Sequence, residues 1–153
     1  MEDLATSLLA IVSTLVAGGA ATVAASLKKR LGGLTAQKTV KICLVATTPS
    51  GQVEATAYRS QLLLGGYQHV TLSFLPSAAL GADIVLLWKP AVETAQDIVS
   101  TLRAASPLSY LSIYTLDRLP VALDDRMMLS NSPLRLRADL GTIAEVVASE
   151  AAR

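Results

Sequence analysis

Residues 82–88 read ADIVLLW, and residues 40–46 read VKICLVA. Each is a short, mostly apolar run with the length and β-branched content typical of a strand buried on both faces. Residues 82–88 are the more apolar of the two, which predicts the central strand of a parallel sheet. Three further strands are predicted at residues 69–75 (HVTLSFL), 109–115 (SYLSIYT) and 126–130 (RMMLS).

Helical segments alternate with these strands. Residues 53–64 are predicted as a helix that turns Val53, Ala57 and Leu64 inward. Residues 92–105 carry an apolar stripe of helical period, and residues 139–152 are predicted as the closing helix. Strands that alternate with helices indicate an α/β fold. We therefore predict a five-stranded, parallel, doubly wound sheet with the flavodoxin-like order 2-1-3-4-5.

An uncharged run precedes this pattern. Residues 4–27 contain 24 consecutive residues without a charge, and Lys28, Lys29 and Arg30 follow directly. A helix of that length, at about 1.5 Å per residue, is long enough to cross a bilayer. The basic flank on its C-terminal side predicts a single-pass anchor with the following domain in the cytoplasm. The alternative is a soluble assembly helix.

Small residues dominate the second half of this run. Gly18, Gly19, Ala21 and Ala25 allow close helix–helix approach, so we expect them to contribute to a homo-oligomer. The predicted organisation is a membrane helix over residues 1–30, a glycine-containing hinge over 31–39, and one α/β domain over 40–153.

Residues 62–90, LLLGGYQHVTLSFLPSAALGADIVLLWKP, resemble the middle of a response-regulator receiver domain. They share a helix end with Gly-Tyr, a second strand, a small-residue turn, and an acidic residue before an apolar third strand that leads to a proline. The chain end, with Ser132 before Pro133 and a closing helix, is also similar to a receiver. The resemblance covers about residues 40–152 and implies a receiver-like fold.

The residues that give a receiver its chemistry are replaced. Where the resemblance implies magnesium-binding acids after the first strand, this chain has Ala46, Thr47 and Thr48. Trp88 ends the third strand, where the phosphoacceptor aspartate is expected, and Ser132 replaces the lysine before the last proline. Thr115 alone fits the switch hydroxyl. The resemblance therefore implies a pseudo-receiver without catalytic or metal-binding residues, and with no cofactor.

A candidate ligand site remains at the predicted carboxyl ends of the strands. Thr47, Thr48, Ser50, Gly51 and Gln52 follow a strand and precede a helix, so their hydroxyl and backbone N–H groups are candidates for binding a phosphate. The alternative is a plain turn that caps the helix. Two further candidates, at the ends of the third and fourth strands, are Trp88 and Thr115.

Composition excludes several classes of function. Charged residues make up only 16% of the chain and the net charge is +1, which is unlike a nucleic-acid-binding protein. A single Cys43 excludes an internal disulfide or a multi-cysteine metal site, and a single His69 excludes a histidine-pair zinc site. Arg135 and Arg137 point the same way if their segment is extended, toward a phosphate or an acidic partner.

Two functions are compatible with these observations. The first is a membrane-anchored, non-catalytic pseudo-receiver that assembles with itself or recruits a protein partner. The second is a ligand-gated membrane effector or sensor of bacterial signalling or antiviral defence, which binds a small phosphorylated or nucleotide signal.

Overall fold

The computed structural model describes residues 36–79 and 81–151. Its centre is a five-stranded, all-parallel sheet with the order β2-β1-β3-β4-β5, which confirms the predicted order. The strands are β1 Lys41–Val45, β2 His69–Ser73, β3 Ile84–Trp88, β4 Tyr110–Tyr114 and β5 Met127–Ser130. Each lies within the predicted boundaries, because short apolar runs between turn residues define strands well.

Besides a helical turn at residues 36–39, three α-helices and one short 3-10 helix lie in the described part of the chain. They are α1 Pro49–Leu64, the 3-10 helix Pro76–Ala79, α2 Ala95–Ala105 and α3 Pro133–Ala151. The connection from β4 to β5 over residues 115–126 contains no helix, and Leu119 and Val121 of this loop pack beside α2 on the sheet.

Side chains of the strands alternate between two apolar layers. Ile42 and Leu44 of β1 pack with α1 and α3 on one face of the sheet. Cys43 and Val45 pack with α2 and the 3-10 helix on the other face. All five residues of β3 are buried, as its predicted central position requires. Helices therefore cover both faces, so a ligand has access to the sheet mainly at its two ends.

The predicted inward face of the first helix is wrong. Val53 is 74% exposed and Leu64 is 89% exposed, and Ala57 is also exposed. The buried residues of α1 are instead Gly51, Ala55, Tyr58 and Leu62, spaced as one helical stripe. The helix begins at Pro49, four residues earlier than predicted, because Thr48 caps it and proline is well suited to its first turn.

Two other helix boundaries differ from the prediction. α2 begins at Ala95 rather than at residue 92, and Val92 is exposed before it. α3 begins at Pro133 rather than at residue 139, so Arg135 and Arg137 are helical. Residues two apart on a helix do not share a face. Arg135 accordingly pairs with Asp139, at 3.8 Å, whereas Arg137 lines a cavity beside α1.

The membrane-anchor and oligomerisation predictions, including those for Gly18, Gly19, Ala21 and Ala25, lie outside the described residues. Within the described part of the chain, no helix combines the length and hydropathy needed to cross a membrane. Residues 36–39, at the end of the predicted hinge, are helical, and Ala36 is buried in the layer formed by α1 and α3.

Candidate functional site

The first turn of α1 contains the predicted ligand loop. The Oγ1 atom of Thr48 accepts a hydrogen bond from the backbone N–H of Gly51 at 3.1 Å, and the N–H of Gln52 donates to the Thr48 carbonyl at 2.9 Å. Ser50 is exposed and Thr47 is half-buried. The turn thus has the geometry of a capped helix start, in which two backbone N–H groups are engaged within the chain.

Gly51 brings this turn against the end of β3. A Cβ atom at Gly51 would lie 3.6 Å from Cδ1 of Trp88 and 2.6 Å from Oγ1 of Thr48. The second distance is shorter than real Cβ contacts, so glycine is the residue that allows the Thr48 cap and the close approach together. The structure therefore places three predicted residues, Thr48, Gly51 and Trp88, side by side.

Trp88 fills the carboxyl end of the central strand. Its side chain is buried between two tyrosine rings, with centroid distances of 4.9 Å to Tyr58 and 4.5 Å to Tyr114. Both contacts are tilted, an arrangement that aromatic pairs favour. The indole Nε1–H donates to Oε2 of Glu54 at 3.0 Å, so the one polar atom of the ring is satisfied.

Lys89 directly follows Trp88 and has an unusual backbone conformation. Its φ angle is +39°, the left-handed region, which non-glycine residues adopt at a cost. Its backbone N–H donates to the Tyr114 carbonyl at 2.7 Å, and its Nζ lies 2.8 Å from Oε2 of Glu54. The Nζ atom also lies 5.7 Å from the Tyr114 ring centroid, within range of a cation–π contact.

The Glu54–Lys89 pair shifts the proton affinity of both groups. Hydrogen bonds from Lys89 and then from Trp88 lower the pKa of Glu54, and the hydrogen bond with Glu54 raises the pKa of Lys89. Each group is therefore held in its charged form near neutral pH. We refer to Glu54, Tyr58, Trp88, Lys89 and Tyr114 as the Trp88 cluster.

Thr115 makes its contacts outside this cluster. It is 2% exposed, and its Oγ1 accepts a hydrogen bond from the backbone N–H of Asp117 at 3.1 Å. Its own N–H donates to the Ser130 carbonyl at 3.1 Å. The hydroxyl that the resemblance to a receiver singled out therefore stabilises the turn after β4.

Sequence reasoning missed Glu54, Tyr58, Lys89 and Tyr114. Glu54 and Tyr58 are four residues apart on α1, so they share a face, but the inward face of that helix was assigned in the wrong phase. In the described part of the chain, no group of three histidine, cysteine or acidic residues has the arrangement of a metal site.

Exposed apolar side chains follow the ends of several strands. Phe74 and Leu75 come after β2, Leu116 comes after β4, and Leu134 lies in the first turn of α3; their exposed fractions are 51%, 66%, 66% and 81%. Carboxyl ends of parallel strands meet at one edge of a sheet, so the Trp88 cluster lies at an edge that carries apolar groups.

Cys43 and His69 have the surroundings expected from their positions in the strands. Cys43 is buried, and burial raises the pKa of its thiol, so it remains a protonated core residue at neutral pH. His69 opens β2 and is exposed.

Comparison with known proteins gives no match to a protein family, a curated protein or a solved structure.

Proposed function

We propose that this chain is a membrane-anchored, non-catalytic signalling module with receiver-like architecture, and that it works through self-assembly. The observation that carries the non-catalytic role is the Trp88 cluster, and self-assembly is argued from the surface around β5. Ligands of open α/β sheets usually bind at the carboxyl ends of the strands. At that place this chain has a buried indole and an ion pair between Glu54 and Lys89.

The groups of the cluster are engaged with one another. Both carboxylate oxygens of Glu54 accept hydrogen bonds, one from Trp88 and one from Lys89. The raised pKa of Lys89 keeps it an ammonium ion rather than a nucleophile or base. This arrangement favours a structural role for the Trp88 cluster.

The outer edge of β5 is a suitable surface for self-association. β5 is the last strand of the described sheet, and the carbonyls of Arg126 and Ser130 face β4. Because backbone groups alternate along a strand, those of Leu129 face outward. Met127, Met128 and Leu129 are half-buried, so this edge is apolar, which favours pairing with another strand although β5 has only four residues.

Helix α3 extends this surface beside β5. Val146 is 41% exposed and lines a small cleft together with Met127, Met128 and Ile143. Arg126 stacks over the ring of Tyr110 at 4.7 Å and lies 3.8 Å from Glu150. The surface therefore has an apolar centre with Arg126 and two acidic residues, Asp125 and Glu150, beside it, so a two-fold axis can bring the basic group of one copy to the acidic groups of the other.

The experiment measures the mass of the full chain in mild detergent by light scattering, with Val146→Lys as the variant. We expect the wild-type protein to form an oligomer. A lysine in the apolar centre is expected to raise the dissociation constant of this oligomer at least tenfold. Leu134→Lys is the matched control, because Leu134 is an exposed apolar residue on the same helix at its other end. A monomeric wild-type protein at tens of micromolar, or equal effects of the two lysines, would contradict self-assembly through this surface.

The anchor is tested separately on the full chain. The proposal expects the protein to stay with membranes after alkaline extraction. Replacing Gly18 and Gly19 with leucine is expected to preserve insertion and weaken the oligomer, because bulky side chains prevent close helix approach. Full release of the wild-type protein into the aqueous fraction would contradict the membrane anchor and favour the alternative, a soluble assembly helix.

A further inference from the structure

A cavity of about 520 Å³ opens between α1 and α3, away from the capped turn at Thr48. Its walls include Tyr58, Leu62, Tyr67, Arg137, Leu140 and Gly141. The volume is within the range of small-molecule sites, and the walls combine aliphatic and aromatic surface with a few polar groups. This composition suits a ligand with a flat apolar body.

Two residues that line this cavity, Tyr58 and Arg137, have polar groups without a partner among the described residues. The hydroxyl of Tyr58 is fully buried and has no hydrogen-bond partner, although Tyr58 is 8% exposed as a residue. Burial raises its pKa to about 12, and the charge of Arg137 partly opposes this shift. Arg137 is exposed and makes no hydrogen bond or ion pair with the described part of the chain, so its guanidinium is available to a ligand, whereas Arg135 on the same helix is paired with Asp139. An unpartnered buried hydroxyl is costly, and a ligand that accepts its hydrogen bond removes the cost.

Gly141 provides the third observation. It lies in the interior of α3, where glycine weakens a helix relative to alanine. A Cβ atom added there would meet no atom of the described residues within 4 Å, so the absence of a side chain leaves open space in the wall of the cavity. Packing against the described elements therefore does not explain this glycine, whereas room for a ligand does.

We propose that the cavity between α1 and α3 binds a small aromatic anion, with its carboxylate or phosphate on Arg137 and its ring against Leu62, Leu140 and the tyrosines. The hydroxyl of Tyr58 is covered by the cavity wall in this structure, so the bound anion accepts its hydrogen bond after the tyrosine side chain turns toward the cavity. Arginine favours this role because its planar group binds carboxylate and phosphate oxygens in pairs. The site is independent of the proposed assembly surface on β5.

The experiment titrates the full chain in a non-ionic detergent with benzoate and with phenyl phosphate, and with benzyl alcohol as the neutral analogue. Trp88 is the single tryptophan of the chain and contacts Tyr58, so its fluorescence reports binding in the cavity. Calorimetry gives the affinity. We expect at least one of the two anions to bind with a dissociation constant below 1 mM, and more tightly than the alcohol, since a charge-assisted hydrogen bond is worth about tenfold or more.

Three variants locate the site. Arg137→Gln is expected to weaken anion binding at least tenfold, and the matched Arg135→Gln variant is expected to bind like the wild type. Tyr58→Phe is expected to weaken binding severalfold without loss of folding. Gly141→Leu is expected to fill the cavity, abolish binding and leave the far-ultraviolet circular dichroism unchanged.

Three results would overturn this proposal. They are failure of both anions to bind at millimolar concentration, equal binding of benzoate and benzyl alcohol, and equal effects of the two arginine substitutions. None of these results bears on the oligomer measured with Val146→Lys, so the two proposals fail independently.

Discussion

Trp88 shows how one side chain joins distant parts of this chain. Its ring contacts Tyr58 of α1 and Tyr114 of β4, and its N–H binds Glu54. An indole of this size contributes through its large buried area, and the partner for its N–H makes that burial possible. The strained backbone of Lys89, which follows it, is held by a hydrogen bond to β4 and by the ion pair with Glu54.

Glu54→Gln tests the ion pair through pH. The folded state lowers the pKa of Glu54, so the pair stabilises the protein above the ordinary value of 4.5 and loses this contribution as pH falls through the folded pKa. We expect the variant to unfold more easily at pH 7 by less than about 1 kcal/mol, because the carboxylate is 45% exposed and screened by water. Urea unfolding at pH 7 and pH 3 should show the difference shrink in acid, whereas Glu93→Gln, outside the cluster, should show no such change.

Tyr58→Phe tests the buried hydroxyl at alkaline pH. Its pKa is about 12 in the folded protein and 10.0 ordinarily, so the unfolded state loses the proton first and the free energy of unfolding falls between pH 10 and 12. We expect the free energy of unfolding of the variant to fall less steeply over that range. The difference in slope between wild type and variant is expected to be up to about 1.4 kcal/mol per pH unit. At pH 8 it should be equal to the wild type or more stable by about 1 kcal/mol, because the unpartnered hydroxyl is gone.

The control for the stability at pH 8 is Tyr110→Phe. The hydroxyl of Tyr110 donates to Glu150 at 2.9 Å, so its removal costs a hydrogen bond rather than relieving an unpartnered group. We expect this variant to be less stable than the wild type at pH 8. Parallel alkaline curves for wild type and Tyr58→Phe would contradict the assignment of the titration to Tyr58.

At the scale of elements, the start of α1 depends on two residues that act together. The hydroxyl of Thr48 caps the helix, and it occupies the space that a side chain at Gly51 would need. Helix propensity alone favours alanine over glycine by about 1 kcal/mol. Loss of a threonine cap costs about as much. The two effects oppose each other in one turn of helix.

A double-mutant cycle separates these effects. We expect Thr48→Ala to lower the free energy of unfolding by about 1 kcal/mol. Gly51→Ala should be neutral or destabilising in the wild type, because the new methyl group displaces the capping hydroxyl, and stabilising in the Thr48→Ala background. The expected coupling is about 0.5–1.5 kcal/mol in chemical denaturation. Additive effects would show that the methyl group and the cap do not compete.

At the scale of the whole molecule, the fold places side chains from α1, β3 and β4 together at the carboxyl ends of the strands, and the carboxylate among them, that of Glu54, is hydrogen-bonded to Trp88 and Lys89. We expect no phosphoryl adduct after incubation of the full chain with acetyl phosphate and magnesium, as measured by intact mass spectrometry. An adduct stable enough to assign to one residue at these strand ends would contradict a non-catalytic role. A matched sample without magnesium controls for non-specific acylation.

The strands were predictable because their signal is local. Residues 40–46 and 82–88 are apolar runs between turn residues, and both contain the strands observed there. Parallel pairing follows from the alternation with helices, and right-handed crossovers favour doubly wound orders, which include the one found. The sequence by itself therefore determined the sheet, its order and the burial of β3.

Only the tertiary structure decided which side chains meet. The inward face of α1 was mispredicted because the consecutive leucines at 62, 63 and 64 give no helical phase, and packing against the sheet selects Leu62. Glu54 and Trp88 are 34 residues apart in the chain, so nothing local predicts their hydrogen bond. The starts of α1 and α3 depend on prolines at the first helical positions, which interrupt a helical pattern when read as sequence and begin one in the fold. A local pattern sets what each segment can form, and the close packing of segments determines the contacts that make a site.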